Sequence, residues 1–286
     1  MKVGRKIKIL CFDMGGTTVK YGVWDDDKIT NTGSFKTPTT WDEMKQQMRQ
    51  VATKFADVEG VGISSPGSVD SKLGVIRGIS AIPYIHNFEI VKELTELFNK
   101  QVTIENDANS AALAELYYGR AKDLNNVVFY IIGSGIGGAV SINKQLVKGA
   151  NLFGGEIGYM LMDSKKTLSQ IASPVEIAKR YHFESGKELF DLAAKGNEQA
   201  KVGAEEVYDT LARSMYNVAL MLDPELILIG GGISQRDDFV SPIQVKLDHY
   251  LKANGAGDLK IKIDRCEFLQ NANLIGAAVN YQNTKD

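Results

Sequence analysis

Two glycine-rich turns, each lying between apolar runs, constrain the fold of this 286-residue chain more than any other feature. The first turn, at residues 14–18, joins runs at 7–13 and 19–24, and the second, at residues 133–138, is flanked in the same way. Short β-branched runs predict strands, and paired glycines predict the bends between them. The same strand-turn-strand unit therefore occurs twice, which indicates an internal duplication.

Helical and strand-like segments alternate through the rest of the chain. Apolar spacing predicts helices at 41–55, 89–98, 108–118, 242–252 and 272–281, and a helical region at 175–222 broken near Gly186 and Gly196. Short apolar runs predict further strands at 58–64, 102–104, 126–132, 139–142, 145–147, 226–229 and 261–263. This order predicts an α/β fold with an N-terminal lobe of residues 1–118 and 272–286, a C-terminal lobe of residues 119–271, and an active-site cleft between them.

Composition narrows the class of partner. The formal charge is -2 and the pI is near 6.0, without a basic block, so a nucleic-acid partner is disfavoured and a small molecule is favoured. The apolar run at 9–12 is shorter than the roughly 7 to 15 residues of a signal peptide, and no run approaches the roughly 20 residues of a membrane span. We therefore expect a cytoplasmic protein without a membrane partner. Cys11 and Cys266 are predicted to be small core residues.

The first glycine turn has the composition of a phosphate-binding loop. Paired glycines allow the backbone to approach a phosphate closely, and threonine hydroxyls add donors. Asp13, directly before the turn, is placed to hold Mg²⁺ through water. We predict nucleotide contacts from Gly15, Gly16, Thr17, Thr18 and Lys20. A plain β-hairpin bend is the alternative if this motif is considered alone.

The second turn, G-S-G-I-G-G at 133–138, matches the G-x-G-x-x-G pattern of dinucleotide-binding folds. That fold needs a helix after the glycines, whereas a strand-like run follows here, so a Rossmann oxidoreductase is disfavoured. The sequence also lacks the P-loop motif and the protein-kinase motif set. We interpret the turn as a second phosphate-binding hairpin, with contacts from Gly133, Ser134, Gly135 and Gly137.

The motif E-N-D-A-N at 105–109 lies where a predicted strand meets a predicted helix. A carboxylate at a helix N-terminus beside an amide suits a base that orients an alcohol and takes its proton, so Asp107 is predicted as the general base and Asn106 as a sugar ligand. Such a base needs correct aim more than a strongly raised pKa. The alternative is a helix N-cap, and Asp107 is able to serve in both ways.

A further glycine-containing bend, G-G-E-I-G-Y at 154–159, exposes one acid and one aromatic residue. The Glu156 carboxylate suits hydrogen bonds from sugar hydroxyls, and the Tyr159 ring suits stacking on a sugar. A surface turn with an incidental acid is the alternative.

Six motifs in order resemble the ROK family of bacterial sugar kinases and repressors, part of the sugar kinase, heat-shock protein and actin superfamily. They are F-D-M-G-G-T at 12–17, S-P-G-S-V-D at 65–70, E-N-D-A-N at 105–109, G-S-G-I-G-G at 133–138, E-I-G at 156–158, and D-P at 223–224 leading to G-G-G at 230–232. The resemblance covers nearly the whole chain and implies a duplicated ribonuclease H-like fold of the actin and hexokinase type. It also implies that Asp107 is the catalytic base, that Gly67, Asn106 and Glu156 bind the sugar, and that ATP contacts the glycines at 133–137 and at 230–232, which include Gly231 and Gly232.

Two departures from the family pattern matter. Most members have histidine after the E-x-G motif and a cysteine cluster that holds a structural zinc, whereas this chain has Tyr159 there and only two cysteines. We therefore expect no zinc, a 163–173 segment held by packing, and Tyr159 filling the lost volume. Family members that lack zinc and have tyrosine at this position include enzymes acting on β-glucosides and some that resemble N-acetylmannosamine kinases. No helix-turn-helix precedes Asp13 in the sequence, so the repressor branch is not expected.

These observations together predict an ATP- and Mg²⁺-dependent kinase that phosphorylates a primary hydroxyl, O6, of a hexose or hexoside, with glucose or a β-glucoside as the first choice. The alternatives are an N-acetylmannosamine kinase, a non-catalytic sugar-sensing protein and an actin-like or chaperone-like ATPase. Similar proteins are often dimers, so a homodimer is an expectation.

Overall fold

The computed structural model of the protein describes residues 7–162 and 165–285. The described chain divides into two compact units. Unit 1 contains the described residues up to Tyr118 together with those from Gln270 onward, and unit 2 contains those from Gly119 to Leu269. The chain thus leaves unit 1 once and returns to it near its end.

Unit 1 is built on a mixed sheet. Its first part contains β1 (Ile9–Met14), β2 (Thr18–Asp25), β3 (Lys28–Lys36), α1 (Trp41–Ala52), β4 (Gly60–Ser65), β5 (Ser68–Asp70), β6 (Val75–Arg77), α2 (Ile90–Phe98), β7 (Gln101–Asn106) and α3 (Asp107–Tyr117). The main sheet has the order β3-β2-β1-β4-β7, in which β1, β2 and β3 are antiparallel and β1, β4 and β7 are parallel. The small β5-β6 hairpin is separate from it. The carboxyl ends of β1, β4 and β7 therefore meet at one edge.

Unit 2 repeats this topology. It contains β8 (Val127–Ile132), β9 (Ile136–Ile142), β10 (Gln145–Leu146), α4 (Leu168–Ala172), α5 (Pro174–Arg180), α6 (Gly186–Ala194), α7 (Glu198–Leu222), β11 (Leu226–Gly230), α8 (Val240–Ala253) and β12 (Lys262–Arg265). The sheet order is β10-β9-β8-β11-β12, again with an antiparallel half and a parallel half. The two sheets correspond strand for strand, which confirms the predicted duplicated α/β fold.

The last helix, α9 (Ala272–Asn283), belongs to unit 1 and packs on β1, β4, β7 and α3. Glycines make this close packing possible: a Cβ on Gly62 would lie 2.5 Å from the carbonyl oxygen of Ala277. A Cβ on Gly276 would lie 1.8 Å from the carbonyl oxygen of Ser110. Asn280 Nδ2 donates to the carbonyl oxygen of Ile104 at 3.3 Å. The C-terminal segment is thus an integral layer of the N-terminal sheet.

Each unit has its own apolar core. In unit 1 the core includes Leu10, Phe12, Met44 and Ile63, and in unit 2 it includes residues of β8, α7 and α8. Cys11 and Cys266 are both buried and unbridged, which confirms their prediction as core residues. Among the described residues, no helix is long and apolar enough to cross a membrane.

The sequence-based boundaries needed correction at several elements. Strand β3 and the β5-β6 hairpin were not predicted, because they contain few apolar residues and their exposed residues are largely polar. The second glycine turn is shorter than predicted, since Ile136 to Gly138 already belong to β9. The turn proper is therefore residues 133–135.

Candidate active site

Asp107 is the first residue of α3, directly after β7. The N-cap is Asn106, whose Oδ1 accepts a hydrogen bond from Asn109 N at 3.1 Å. The alternative interpretation of Asp107 as the N-cap is therefore wrong by one residue. The Asp107 Oδ1 accepts from Ala108 N at 2.8 Å. Asn106 therefore caps the helix while Asp107 occupies its first turn, where the helix dipole favours a carboxylate.

The pKa of Asp107 is raised to about 6, mainly because its carboxyl group is withdrawn from water. The hydrogen bond from Ala108 N opposes this shift, and the negative charge of Asp13 adds to it. A carboxylate whose pKa lies near neutrality is suited to accept a proton during a reaction and to release it afterwards. The shift exceeds what the sequence-based mechanism required of this residue.

Asp13 lies near Asp107 because parallel strands deliver both residues to one edge of the sheet. In the register of β1 with β4, Asp13 pairs with Ser64, and in β4 with β7, Ser65 pairs with Asn106. Loss of hydration raises the pKa of Asp13. Hydrogen bonding from Asn273 and the charge of Lys20, which faces Asp13 across the β1-β2 pair, act in the opposite direction. Two carboxylates thus lie close together in a poorly hydrated part of unit 1.

Asn273, the first polar side chain inside α9, was missed by sequence reasoning. Its Nδ2 donates to Asp13 Oδ1 at 3.0 Å. The two residues are far apart in sequence, and a polar residue near the start of a helix has an ordinary interpretation as part of the helix end. Only the return of α9 to unit 1 brings the amide to the carboxylate.

Gly67 is held beside Asn106. Asn106 Nδ2 donates to the carbonyl oxygen of Gly67 at 3.0 Å. Gly67 has a φ of 100°, which favours glycine, and a Cβ there would lie 2.8 Å from Ile76 Cγ2 and 3.2 Å from His86 Cε1. The structure therefore brings together Gly67 and Asn106, which are both predicted sugar ligands.

Glu105 is a buried carboxylate that fixes this corner, a function that the sequence did not reveal. Its Oε1 accepts from Asn106 N at 2.9 Å and from Asn109 Nδ2 at 3.1 Å, and its Oε2 accepts from Ser71 Oγ at 3.2 Å. These bonds tie the end of β7, the first turn of α3 and the β5-β6 hairpin to one side chain. Glu105 positions its neighbours and is not itself exposed to a ligand, since it is only 2% exposed.

The first glycine turn is compact and exposes its tip. Gly15 N donates to the carbonyl oxygen of Thr18 at 3.2 Å, and Thr37 Oγ1 donates to the carbonyl oxygen of Gly15 at 2.5 Å. Gly16, Thr17 and Thr18 are exposed, as is Lys20 further along β2. The predicted phosphate-binding residues therefore lie next to Asp13 with their polar groups open to solvent.

The second glycine turn, in unit 2, is braced from the side by α4 and the start of α5. Gly133 N donates to the carbonyl oxygen of Gly135 at 2.9 Å, so this amide shapes the turn. Ser169 Oγ accepts from Ile136 N at 3.0 Å, and Ser173 Oγ donates to the carbonyl oxygen of Ser134 at 2.8 Å. The two serines were not predicted, because nothing in their local sequence links them to a turn more than thirty residues earlier.

Gly231 lies against this turn. Its φ is 84°, and a Cβ there would lie 2.2 Å from the carbonyl oxygen of Ile132, the residue before Gly133. Gly232 begins a short 3₁₀ helix, Gly232–Gln235, and has open space where a side chain would be. Unit 2 thus joins the predicted ATP contacts at Gly133, Ser134, Gly135 and Gly137 with those at Gly231 and Gly232.

Glu156 and Tyr159 occupy a short segment that packs on β9. Glu156 precedes the 3₁₀ helix Ile157–Tyr159, and Ile157 packs against Gly138. Tyr159 is 66% exposed, so it does not fill a buried volume as expected from the missing zinc cluster. Of the 163–173 segment, residues 163 and 164 lie outside the described residues, and the remainder leads into α4.

Comparisons with known proteins identify the family. The ROK family model matches residues 9–283. The β-glucoside kinase of Listeria monocytogenes is 31% identical over 292 residues, covering 96% of this chain and 97% of the relative, and the N-acetylmannosamine kinase of Vibrio vulnificus is 28% identical over 299 residues, covering 96% and 98%.

A solved structure is similarly close. A ROK family protein from Streptococcus pneumoniae, determined in complex with sucrose, is 32% identical, covers 98% of this chain and 99% of its own, and superposes with a TM-score of 0.90. Because the ROK family model matches the chain over nearly its full length, this chain belongs to the ROK family.

Proposed function

We propose that this sugar kinase transfers the γ-phosphoryl group of ATP to O6 of a glucose unit, either free glucose or a β-glucoside, with Asp107 as the general base. The observation that carries the proposal is the Asp107 carboxylate, held at the N-terminus of α3 with its pKa raised to about 6. A base with this pKa is ionised at neutral pH and still able to take a proton from an alcohol as the alcohol attacks.

Each unit separately contains residues with the chemistry of sugar ligands. Asn106 Nδ2 donates to the Gly67 carbonyl, and the Asn106 side chain also hydrogen-bonds the Asp107 carboxylate, so this amide orients the proposed base beside the sugar. Gly67 has no side chain of its own, and a Cβ there would lie 2.8 Å from Ile76 Cγ2. In unit 2, Glu156 and Tyr159 supply an acceptor and an exposed ring, the groups that sugar sites commonly use.

The residues also fit ATP with Mg²⁺. Mg²⁺ is usually held by one or two carboxylates, water and substrate phosphates, so it needs no cage of protein ligands. Asp13 would hold Mg²⁺ through water. The Asp13 and Asp107 carboxylates repel each other in this poorly hydrated site, and a divalent cation would offset that repulsion. When bound, Mg²⁺ neutralises the charge that develops on the phosphates. The glycine turns at 15–18 and 133–135 and the Gly231-Gly232 pair would supply backbone and hydroxyl donors to the phosphates.

The proposed phosphoryl transfer needs no reactant other than ATP and the sugar. The O6–H proton passes to the Asp107 carboxylate as O6 bonds to the γ-phosphorus, and the bond from that phosphorus to the β,γ-bridging oxygen breaks. The products are the sugar 6-phosphate and ADP, and Asp107 then loses its proton to water. The chain mainly positions the alcohol and the phosphates, which is the larger part of catalysis in phosphoryl transfer.

The relatives support both candidate sugar classes, since they include a β-glucoside kinase and an N-acetylmannosamine kinase. We favour a glucoside because the β-glucoside kinase matches at higher identity and the pneumococcal structure contains a disaccharide. A coupled screen of glucose, cellobiose, other β-glucosides, N-acetylmannosamine and N-acetylglucosamine, with the phosphorylated carbon assigned by NMR, separates these substrates. Turnover of N-acetylmannosamine alone would overturn the preference.

The base assignment is tested with Asp107→Asn. This variant is expected to keep sugar and nucleotide binding, measured by calorimetry, while kcat falls by roughly 10² to 10⁴. Asp57→Asn, which alters an exposed carboxylate paired with Lys8, is the matched control. Near-normal turnover by Asp107→Asn would refute the assignment, and binding of sugar without phosphate transfer by the unmodified protein would favour a sugar sensor.

A further inference from the structure

Two neighbouring aromatic rings of unit 2 are exposed to solvent. Phe153 and Tyr159 are 56% and 66% exposed, their ring centroids are 6.0 Å apart, and the ring planes are inclined at 72°. Leaving large apolar side chains in water forgoes the free energy of burial, and clustered exposed apolar groups mark binding surfaces. The pair therefore has the character of a contact surface for a ligand.

Backbone hydrogen bonds link both rings to Glu156. Glu156 N donates to the carbonyl oxygen of Phe153 at 3.3 Å, and Tyr159 N donates to the carbonyl oxygen of Glu156 at 3.1 Å. The contact between the rings places Phe153 beside Tyr159. The two rings and the proposed sugar-binding carboxylate therefore lie within one seven-residue segment.

The Ile157 side chain and the backbone at Gly158 fix this segment to β9. Ile157 is 5% exposed, and a Cβ on Gly138 would lie 2.4 Å from its Cγ1. A Cβ on Gly158 would lie 1.8 Å from the carbonyl oxygen of Ile136, so the backbone at Gly158 is in close contact with the strand. The rings are thus presented by a well-packed support, which lowers the entropic cost of ligand binding.

We propose that Phe153 and Tyr159 form a subsite for a second ring of the substrate, namely the pyranose or aryl ring linked to the hexose that is phosphorylated. This inference rests on the proposed function. The hydroxyls of the hexose are recognised by polar groups such as Glu156, whereas the apolar face of a further ring packs on aromatic side chains. The preferred substrates are then glucosides, disaccharide or aryl, and free glucose is the poorer substrate.

The test compares kcat/KM for cellobiose and for glucose, because their ratio is insensitive to the fraction of folded enzyme. Phe153→Ala and Tyr159→Ala are each expected to lower the cellobiose-to-glucose ratio about tenfold, the loss expected for one aromatic packing contact. Phe153→Trp and Tyr159→Phe keep a ring and are expected to retain the ratio. Leu161→Ala is the matched control, since Leu161 is nearby and 69% exposed.

Calorimetry of cellobiose binding separates this inference from the proposed function. If the unmodified protein phosphorylates glucose and cellobiose but neither the ratio nor the cellobiose affinity changes in the two alanine variants, the subsite is refuted and the kinase assignment stands. If no sugar is phosphorylated but Phe153→Ala weakens cellobiose binding about tenfold, the subsite stands and the proposed reaction fails.

Discussion

The Asp107 carboxyl group lies close enough to Asp13 for the negative charge of Asp13 to raise its pKa, in addition to the larger effect of lost hydration. This relationship is produced by the parallel strands β1, β4 and β7, which end at one edge of the unit 1 sheet. Residues remote in sequence thereby affect each other's protonation.

The first prediction concerns the pH profile. Because Asp107 must be ionised to accept a proton and its pKa is about 6, kcat/KM should fall about tenfold per pH unit below pH 6. Initial rates between pH 5 and 8, followed by phosphorus NMR to avoid pH-sensitive coupling enzymes, measure this. A flat profile down to pH 5 would contradict the assignment of Asp107 as base.

The second prediction concerns stability. The pKa of Asp107 is raised in the folded chain from an ordinary value of 3.8 to about 6. Between these two pH values the folded state binds more protons at Asp107 than the unfolded state does. The contribution of Asp107 to the free energy of unfolding therefore rises as the pH falls from 6 to 4. At pH 7 the ionised group therefore destabilises the fold, and Asp107→Asn should raise the free energy of unfolding by roughly 1 to 3 kcal/mol. Urea unfolding at pH 7 and pH 4 measures the gain, which should largely vanish at pH 4.

A control of opposite sign accompanies this measurement. The exposed Asp57 has its pKa lowered by hydrogen bonding and by the charge of Lys8, so Asp57→Asn should not stabilise the fold at pH 7. A loss of stability in Asp107→Asn at pH 7 would show that the carboxylate is well accommodated.

The third prediction concerns Asn273. Asn273→Ala removes the hydrogen bond to Asp13 Oδ1, and the pKa of Asp13 should rise further, which weakens a carboxylate needed for Mg²⁺. We expect the KM for Mg–ATP to increase about tenfold, with a smaller change in the KM for sugar. Asn280→Ala is the matched control, because Asn280 lies in the same helix and donates to Ile104 instead. Equal values of KM for Mg–ATP in the two variants would contradict the prediction.

The fourth prediction contrasts two adjacent glycines. Gly231→Ala places a Cβ 2.2 Å from a backbone oxygen at a φ of 84°, so it should lower the free energy of unfolding by roughly 2 kcal/mol or more and raise the KM for ATP. Gly232→Ala meets open space and should change stability by less than about 0.5 kcal/mol. Thermal or urea unfolding of both variants measures the difference, and similar stabilities would show that the loop relaxes.

Local sequence was sufficient for features that local interactions determine. The glycine turns, the strands beside them and the repeat of the strand-turn-strand unit follow from short apolar runs, and the structure confirms them. Strand β3 was missed because Lys28–Lys36 has many polar residues and, among the described strands, pairs with β2 alone. Its strand character comes from the neighbouring strand more than from its own residues.

Prediction failed where the deciding contact joins distant segments or where neighbours have equal propensity. Asn106 and Asp107 are both good cap residues, and the extended backbone of Asn106 together with its hydrogen bond from Asn109 N identifies it as the cap. The bonds of Glu105 to Ser71, of Ser169 to Ile136 and of Asn273 to Asp13 depend on packing of whole elements. The catalytic, sugar and nucleotide assignments themselves stay predictions until the variants are measured.

The position of α9 in unit 1 also bears on how the protein is made. The sheet of β1, β4 and β7 packs against a helix that is synthesised after the whole of unit 2. During translation, the apolar surface that α9 covers stays uncovered until α9 has been synthesised. Unit 2 is one continuous segment, so it can complete its own core before that point. Nascent chains stalled before residue 272 should therefore contain a protease-resistant unit 2 and a protease-sensitive unit 1.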